Sequence, residues 1–375
     1  MPELADIFNT YGSAYLEKFG DKILPQHKRA MLDITGCRTE YAGGHVDYCF
    51  DCQQRHYFYH SCCNRSCPKC QGNNIHEWLA KREAEILPVP YYHITVTFPQ
   101  EMRYIIRSNS RKLLSILMRE VANVLMELAA DPKFVGGKIS ILEVLHTWSR
   151  SLIYHPHIHC LVPGGGLSFD GKHWIFARKS FFIPVRKLSY HLRERLKKVF
   201  QTEIPEIKFP SSIWKKQWVA HCKPAAQGAD KVIQYLGRYV YKVALTNNRI
   251  LSDKNGQITF KYKNYNDDRW RTMTLEAFEF IRRFLQHAPP KGFHKVRFYG
   301  LLSPKNRKLL SPLKTQLELA QKQTEPLAGN EEQTEALIEI EKKPRVCPHC
   351  KSARIITLFR FFKSIKPSFR GHAPP

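Results

Sequence analysis

Alternating apolar and polar positions mark a first β-strand near the start of the long central region. Within residues 91–99, Ile94, Val96 and Phe98 alternate with histidine and threonine, and Pro99 ends the pattern. A period of two places successive side chains on opposite faces of a strand. We therefore predict a strand here, with the three apolar side chains on one face.

Two further strands are predicted to form a hairpin. Residues 138–148 are rich in β-branched side chains, and residues 155–163 form a second strand pattern that three glycines close. Because a turn of only a few residues joins them, we expect an antiparallel pair centred near residue 151.

Helical periodicity appears in two segments. Leucine and valine recur at intervals of three and four along residues 109–130, and Asp131 and Pro132 end that helix. Residues 228–245 show a similar period, with apolar side chains on one side and lysine, arginine and tyrosine on the other. Strand and helix patterns alternate from about residue 90 to 305, which is typical of an α/β or α+β domain.

Composition divides the chain into five segments. We predict a helical lead-in over residues 1–25, a cysteine-rich module over 26–75 and the main domain over 90–305. Glutamate is concentrated in residues 313–345, which favours an acidic linker or a solvated helix. The basic, aromatic tail, 346–375, would touch DNA or pack as a small cluster. Its single Cys-x-x-Cys pair is half of a metal ribbon, a site completed across a dimer, or a remnant.

The charge balance narrows the class of partner. Lysine and arginine outnumber aspartate and glutamate by 59 to 33, giving a net charge of +26 in a chain of 375 residues. Such an excess attracts polyanions, and nucleic acid is the usual partner of a strongly basic protein. The sequence contains no apolar run long enough to span a membrane and no signal pattern, so we expect a cytoplasmic protein that binds no membrane.

The cysteine-rich module predicts a zinc site. Clustered Cys-x-x-Cys pairs without a secretion signal favour zinc over disulfides. Cys49 and Cys52 form one pair, Cys67 and Cys70 form another, and fourteen residues separate the pairs. Each pair would present two thiolates to one tetrahedral ion, which would supply folding energy and leave no open position for chemistry.

A second zinc ion in the same module is an open alternative. Its candidate ligands are Cys37, His45 and Cys62, with either His27 or Cys63 as the fourth.

The second strand of the hairpin carries three histidines two residues apart, His155, His157 and His159. On a strand they share one face, a pattern more typical of a metal site than of isolated structural histidines. If the hairpin turns as predicted, His146 lies opposite His157 and is the expected third ligand, with Glu143 as the carboxylate alternative. Such a set leaves open positions where Mg²⁺ or Mn²⁺ would polarise a phosphate.

The helix predicted over residues 228–245 carries two tyrosines on its polar side. Tyr235 and Tyr239 are four residues apart, so their Cβ atoms would lie roughly 5–6 Å apart. Lys231, Arg238 and Lys242 share that side, where they would hold DNA phosphate. Two surface tyrosines are the alternative, but a tyrosine pair near the histidine strand favours a nucleophilic role.

These motifs resemble a known superfamily. The HUH nucleases, named for histidine–hydrophobic–histidine, have three motifs, and this chain is similar to them in order with HITVTF, HIH and YLGRY. Tyrosines that follow the histidines are the order of replication initiators and transposases rather than of conjugative relaxases. The cysteine-rich module and the segments HPHIHCLVPGGGLS and KGFHKVRFYGLL resemble, more closely, the insertion-sequence 91 family of rolling-circle transposases, over roughly residues 20–305.

The resemblance implies a fold and a mechanism. It implies an α+β fold in which an HUH-nuclease-like antiparallel sheet with flanking helices follows a small zinc-binding module. It implies that a divalent metal at His157 and His159 polarises the scissile phosphate of single-stranded DNA, while Tyr235 or Tyr239 attacks. The products would be a 5′-phosphotyrosine and a free 3′-OH, and the second tyrosine would accept the other strand.

Two other functions fit parts of the pattern. A plasmid or phage replication initiator would use the same chemistry, although the zinc module favours a transposase. A non-catalytic, zinc-dependent DNA-binding protein is the second alternative, and the intact histidine and tyrosine pairs argue against it.

Overall fold

A computed structural model describes residues 1–70, 75–177, 182–226, 231–232, 237, 239–265, 267–324 and 345–362. Its strands are β1 (Gly44–Cys49), β2 (Arg55–Tyr59), β3 (Tyr91–Thr97), β4 (Ser140–Trp148), β5 (Tyr154–Pro163), β6 (Gly165–Leu167), β7 (Trp174–Phe176), β8 (Val219–Ala226), β9 (Ile250–Lys254), β10 (Gln257–Lys263), β11 (Trp270–Glu276), β12 (Val296–Gly300) and β13 (Ile355–Phe361). Its helices are α1 (Leu4–Phe19), α2 (Pro25–Thr35), α3 (Ile75–Glu83), α4 (Arg103–Ser108), α5 (Ser110–Ala130), α6 (Val185–Glu203), α7 (Ser212–Lys215), α8 (Ala277–Leu285) and α9 (Leu310–Thr324).

A five-stranded sheet forms the centre of the molecule, in the order β12-β4-β5-β3-β8, and every neighbouring pair is antiparallel. The predicted hairpin is confirmed as β4 and β5, and its register pairs His146 with His157. The strand predicted over residues 91–99 is β3, which lies beside β5. The α+β class, with an antiparallel sheet and flanking helices, is therefore confirmed.

The two faces of this sheet have different coverings. Ile94 and Ile158 point towards α5 and α6, which contribute Leu117 and Leu192 to the same buried cluster. The alternate positions point to the other face. There, Leu142 and other apolar residues of β4 and β5 pack against Val232, Val240 and α9. The predicted helix over residues 109–130 corresponds to α5, and it ends at Ala130 as expected.

The lead-in helix packs into a shared core. Leu4, Ile7 and Phe8 of α1 contact a cluster that includes Phe280 and Phe284 of α8 and the sheet β9-β10-β11. Residues of the predicted lead-in, zinc module and main domain therefore meet in this one cluster, while the central sheet has two further buried clusters of its own.

The segment predicted as a tail contributes a strand to the N-terminal module. β13 pairs antiparallel with β1, with one register shift between Val46 and Asp47, and β1 also pairs with β2. Within the predicted basic tail, residues 346–375, the structure thus adds a strand that the sequence did not predict, because the backbone groups of residues 355–361 find their partners on the edge of β1. Residues 363–375 lie outside the described residues.

The acidic segment begins as a helix. α9 includes residues 313–324 of the segment predicted as a linker, and residues 325–344 lie outside the described residues. None of the helices in the described ranges is long and apolar enough to cross a membrane.

The predicted tyrosine helix ends at residue 240 rather than at residue 245. The described residues from 231 to 240 are helical, but residues 241–246 are not. Val240 still packs below the central sheet, whereas Ala244 and Leu245 reach the core around α8, so the chain must leave the helix to join both. Tyr235 and Arg238 lie outside the described residues.

Candidate functional site

Three histidines meet on the face of the central sheet opposite α5 and α6. One ring nitrogen of each of His146, His157 and His159 lies within 4.8 Å of the other two, a separation that one metal ion can bridge. The geometry follows from the sheet. Alternation places His157 and His159 on one face of β5, and the antiparallel register places His146 opposite His157 on β4. The structure thus brings together the three ligands predicted from the sequence.

Hydrogen bonds orient each imidazole. Nδ1 of His157 lies 2.8 Å from the backbone oxygen of His155, and Nε2 of His146 lies 2.8 Å from the backbone oxygen of Tyr239. Nδ1 of His159 lies 2.9 Å from Nε2 of His93. An N–H donated to a carbonyl fixes the tautomer and leaves the opposite nitrogen with a lone pair, which is the usual arrangement of a metal-ligating histidine.

Burial keeps these imidazoles neutral. It lowers the pKa of His157 to about 4 and that of His93 to about 4. Burial also lowers the pKa of His146 and His159 well below the ordinary value, and neighbouring histidines and Lys242 add to the effect. At neutral pH the cluster therefore presents uncharged nitrogens, the form that binds a metal.

Tyr239 lies against the cluster. Its half-buried ring is 4.5 Å from the ring of His159 and 5.0 Å from that of His93, measured between centroids. Its backbone oxygen is the partner of His146, so the helix that carries this tyrosine is fastened to β4. Of the predicted nucleophiles, Tyr239 is at the site, and Tyr235 is not among the described residues.

Two predicted candidates do not join the cluster. His155 shares the face of His157, but its Nδ1 lies 2.7 Å from the guanidinium of Arg103. Glu143 was proposed as the carboxylate alternative, and the structure contradicts this. It lies three residues before His146 on β4, and the odd spacing points it to the opposite face, towards Cys160 and Arg297. Burial raises the pKa of Glu143 well above its ordinary value.

Lys242 and Lys295 lie close enough to His146 to lower its pKa. Lys242 and Lys231, both predicted to bind DNA, are exposed. The ammonium of Lys295 lies 3.4 Å from the backbone oxygen of Lys242, and burial lowers the pKa of Lys295 to about 8. Sequence reasoning did not single out His93 or Lys295. His93 had a signal, because it alternates with Ile94 on the strand beside β5, whereas Lys295 reaches the site only through the pairing of distant segments.

The zinc ligands group differently from the predicted pairing. Cys67 and Cys70 meet Cys37 and Cys62, with all four sulfurs within 4.8 Å of one another. The sulfurs of Cys62 and Cys70 are 3.7 Å apart. Four thiolates about 2.3 Å from a tetrahedral zinc ion would be about 3.8 Å apart, so this cluster fits the ion.

The prediction that Cys49 and Cys52 share an ion with Cys67 and Cys70 is therefore wrong. Cys49 ends β1 and lies beside the C-terminal segment, with its sulfur 3.5 Å from that of Cys350. Cys67 and Cys70 instead lie in the core below α1 and α2.

Part of the predicted second zinc set lies together. The sulfurs of Cys37 and Cys62 are in one cluster, but His45 stacks on Phe58, with 5.1 Å between ring centroids. His27 and Cys63 belong to neither cysteine cluster of the described residues. The other two sulfurs of this cluster are those of Cys67 and Cys70, because their loop folds back onto α2, where the Asn64 amide donates to Asp33.

Known proteins match the chain over both parts. Residues 140–309, which include the histidine cluster and Tyr239, match the family described as "Putative transposase". Residues 7–98 match the "Transposase zinc-binding domain" family, which together with the cysteine cluster supports structural zinc. No solved structure matches the chain.

Two curated relatives agree with these families. The "Putative transposase y4qJ" of Sinorhizobium fredii (strain NBRC 101917 / NGR234) is 36% identical over 378 residues, covering 95% of either chain. The "Transposase for insertion sequence element IS801" of Pseudomonas savastanoi pv. phaseolicola is 26% identical over 289 residues, covering 72% of this chain and 67% of its own. The chain belongs to the insertion-sequence 91 family of transposases.

Proposed function

We propose that this transposase cleaves and rejoins single-stranded DNA through a 5′-phosphotyrosine intermediate and so mobilises an insertion element. One observation carries the proposal: the ring of Tyr239 lies 4.5 Å from that of His159, within a cluster of three histidines that can hold one ion. A nucleophile beside a metal-binding group is the arrangement that transfer of a phosphate diester needs.

The chemistry assigned to Tyr239 is a transesterification. Its hydroxyl oxygen attacks phosphorus and loses its proton, the bond from phosphorus to the 3′ oxygen breaks, and that oxygen leaves as a 3′-OH. One ester replaces another, so the reverse attack by a 3′-OH rejoins the strand without ATP. Lys242, whose charge acts on the three histidines, would hold the phosphate together with Lys231, and Tyr235 would accept the second strand.

The donor set fits a divalent metal. The three imidazoles are neutral. His146 and His157 each use one nitrogen on a backbone oxygen, and His159 uses Nδ1 on His93, so the other nitrogen of each would be the metal ligand. Glu143 lies on the other face, so nitrogen atoms make up the described donor set, which suits a transition ion such as Mn²⁺ better than Mg²⁺. Bound there, the ion would act as a Lewis acid on the scissile phosphate.

An open groove offers a path for the strand. It is lined by Thr97, which pairs with His157, and continues past His155 and Arg103 to Lys216. Arg103 and Lys216 would contact the phosphates of a strand that enters from this side.

Cleavage of a labelled oligonucleotide that carries the element's end tests the proposal. We expect cleavage of the single strand but not of the duplex. Tyr239→Phe should lose at least one strand-transfer step, and the double Tyr235→Phe, Tyr239→Phe variant should form no adduct. Tyr241→Phe is the matched control, because the Tyr241 ring packs on Trp78, 5.9 Å away between centroids.

The histidines have a matched control on their own strand. His157→Ala should lower the cleavage rate by about 100-fold, because loss of even the hydrogen-bond partner of a metal ligand costs about 10–100-fold in affinity or activity. His155→Ala should keep most of the rate. Unchanged cleavage in the double tyrosine variant would overturn the proposal. Binding of the oligonucleotide without cleavage, with Mn²⁺ present, would favour a DNA-binding protein.

A further inference from the structure

The chain contains two Cys-x-x-Cys knuckles of the same construction, one near each end. In both, the amide of the first cysteine donates to the carbonyl oxygen five residues later, and the residue after the second cysteine has a positive φ. Those residues are Gln53, with φ of 55°, and Lys351, with φ of 61°. The closing hydrogen bonds run from Cys49 to Gln54 (3.0 Å) and from Cys347 to Ser352 (2.8 Å). Such a turn points both thiolates of a knuckle to one side.

The two knuckles face each other. The sulfur of Cys49 is 3.5 Å from that of Cys350, and the sulfur of Cys52 is 3.6 Å from that of Cys347. These separations are close to the value of about 3.8 Å expected around a tetrahedral zinc ion. Nε2 of His56 lies 3.2 Å from the sulfur of Cys347, where its N–H would donate to a thiolate and reduce the negative charge of the site.

Contacts away from the sulfurs hold the same two segments together. Asp47 of β1 is completely buried, and its carboxylate pairs with the guanidinium of Arg345 and accepts a hydrogen bond of 3.1 Å from the hydroxyl of Thr357. A buried carboxylate without its cation is strongly unfavourable. Arg354 also donates to Asp51, between the cysteines of the first knuckle, at 2.8 Å. The C-terminal segment is therefore built into the N-terminal module.

We propose that Cys49, Cys52, Cys347 and Cys350 bind a second structural zinc ion, which fastens the C-terminal segment to the N-terminal module. The match to the zinc-binding family ends at residue 98, so two of the four ligands come from outside the matched region. The sheet β13-β1-β2 and this ion together complete a zinc ribbon from both ends of the chain. The module then acquires its final form only when residue 350 has been made. This inference does not depend on the DNA chemistry proposed above.

Metal content of the full chain tests the proposal. The purified protein should contain two zinc ions per chain by inductively coupled plasma mass spectrometry. Cys347→Ser, Cys350→Ser should contain one, Cys49→Ser, Cys52→Ser should contain one, and the combination of all four substitutions should still contain one. Cys63→Ser is the matched control with two ions, because Cys63 is exposed and belongs to neither cysteine cluster of the described residues.

Two results would overturn the proposal. One is retention of two ions in the Cys347→Ser, Cys350→Ser variant. The other comes from the unmodified chain, which avoids any failure of a variant to fold. Cys350 and Cys63 are both exposed, so without a metal they should react with N-ethylmaleimide at similar rates. In the zinc-loaded chain we expect Cys63 to be alkylated and Cys350 to be protected from alkylation. After a chelator removes the zinc, Cys49 and Cys350 should become reactive together. Equal alkylation in the zinc-loaded chain would contradict the site.

Discussion

The surroundings of His146, His157 and His159 favour the neutral, oriented form of imidazole that can bind a metal. Burial keeps the imidazoles uncharged, and backbone oxygens accept the N–H of His146 and of His157. The first is the oxygen of Tyr239, so the same contact that orients a ligand also positions the proposed nucleophile. A substitution that moves Tyr239 should therefore affect metal affinity as well as cleavage.

His287 provides a prediction about pH. Burial lowers its pKa to about 4, below the ordinary 6.5. Between these values the unfolded chain binds the proton more readily, so stability is fully present above about pH 6.5 and falls as the pH falls towards 4. The loss should reach roughly 2–3 kcal/mol by pH 4.5.

Urea denaturation at pH 7 and at pH 4.5 measures this effect. In the unmodified chain the free energy of unfolding should be lower at pH 4.5 than at pH 7. In His287→Gln we expect this difference in free energy to be smaller by the amount given above for His287. His191→Gln, which changes an exposed histidine of α6, should keep the full difference. Equal pH dependence of the unmodified chain and His287→Gln would show that His287 does not titrate as described.

Individual residues also show which parts of the sites could be predicted from the sequence. The histidine cluster was predictable because alternation and register place His146, His157 and His159 on one face. The same parity argument excludes Glu143, since three residues separate it from His146 on one strand. The zinc partners of Cys49 and Cys52 were not predictable from spacing, because a nearer pair matched the usual spacing and the true partners lie about 300 residues away along the chain.

At the scale of elements, the edge strand β12 supports the strand that carries His146. β12 ends at Gly300, whose φ is +61°, and a Cβ there would lie 1.9 Å from the backbone oxygen of Ile139. Gly171 has a similar φ of +77°, but a Cβ there would meet nothing within 4 Å. Both glycines have a positive φ, but only Gly300 lies against another backbone atom. Comparing alanine substitutions at the two positions therefore separates the cost of the left-handed conformation from the cost of a steric clash.

Gly300→Ala should therefore lower the free energy of unfolding much more than Gly171→Ala does. We expect a loss of about 1 kcal/mol for Gly171→Ala from the left-handed conformation alone. Gly300→Ala should lose about 2–4 kcal/mol, because backbone must also move. Equal losses in the free energy of unfolding, from urea titrations at one pH, would contradict the close approach of β12 to Ile139.

Element boundaries were predictable only where local pattern decides them. Helix α5 and the hairpin β4–β5 have periodicity and a clear stop signal, and they occur where predicted. The helix of Tyr239 ends at Val240, earlier than its periodicity indicated, because Ala244 and Leu245 belong to a different core. β13 had strand-like residues, but its partner β1 lies at the other end of the chain.

At the scale of the whole molecule, the net charge of +26 makes DNA binding dependent on salt. Each contact with a phosphate of single-stranded DNA adds about 0.7 to the slope of log affinity against log salt. We expect Lys242→Ala to lower this slope by about 0.7, measured by fluorescence anisotropy with a labelled oligonucleotide.

A lysine on the far side of the sheet is the control for this measurement. Lys197 is exposed on α6, whose apolar side packs on the face opposite the histidines. Lys197→Ala should leave the slope unchanged. If both variants lower it equally, the strand does not follow the path past Lys242.

The most direct test of the proposed chemistry is to identify the DNA–protein bond itself. The protein is incubated with Mn²⁺ and a single-stranded oligonucleotide of the element's end, digested with protease and nuclease, and mapped by mass spectrometry. We predict a nucleotide joined through its 5′ phosphate to Tyr239 or Tyr235, and none in His157→Ala. Cleavage with no nucleotide on either tyrosine, or with a nucleotide on Tyr241, would contradict the account.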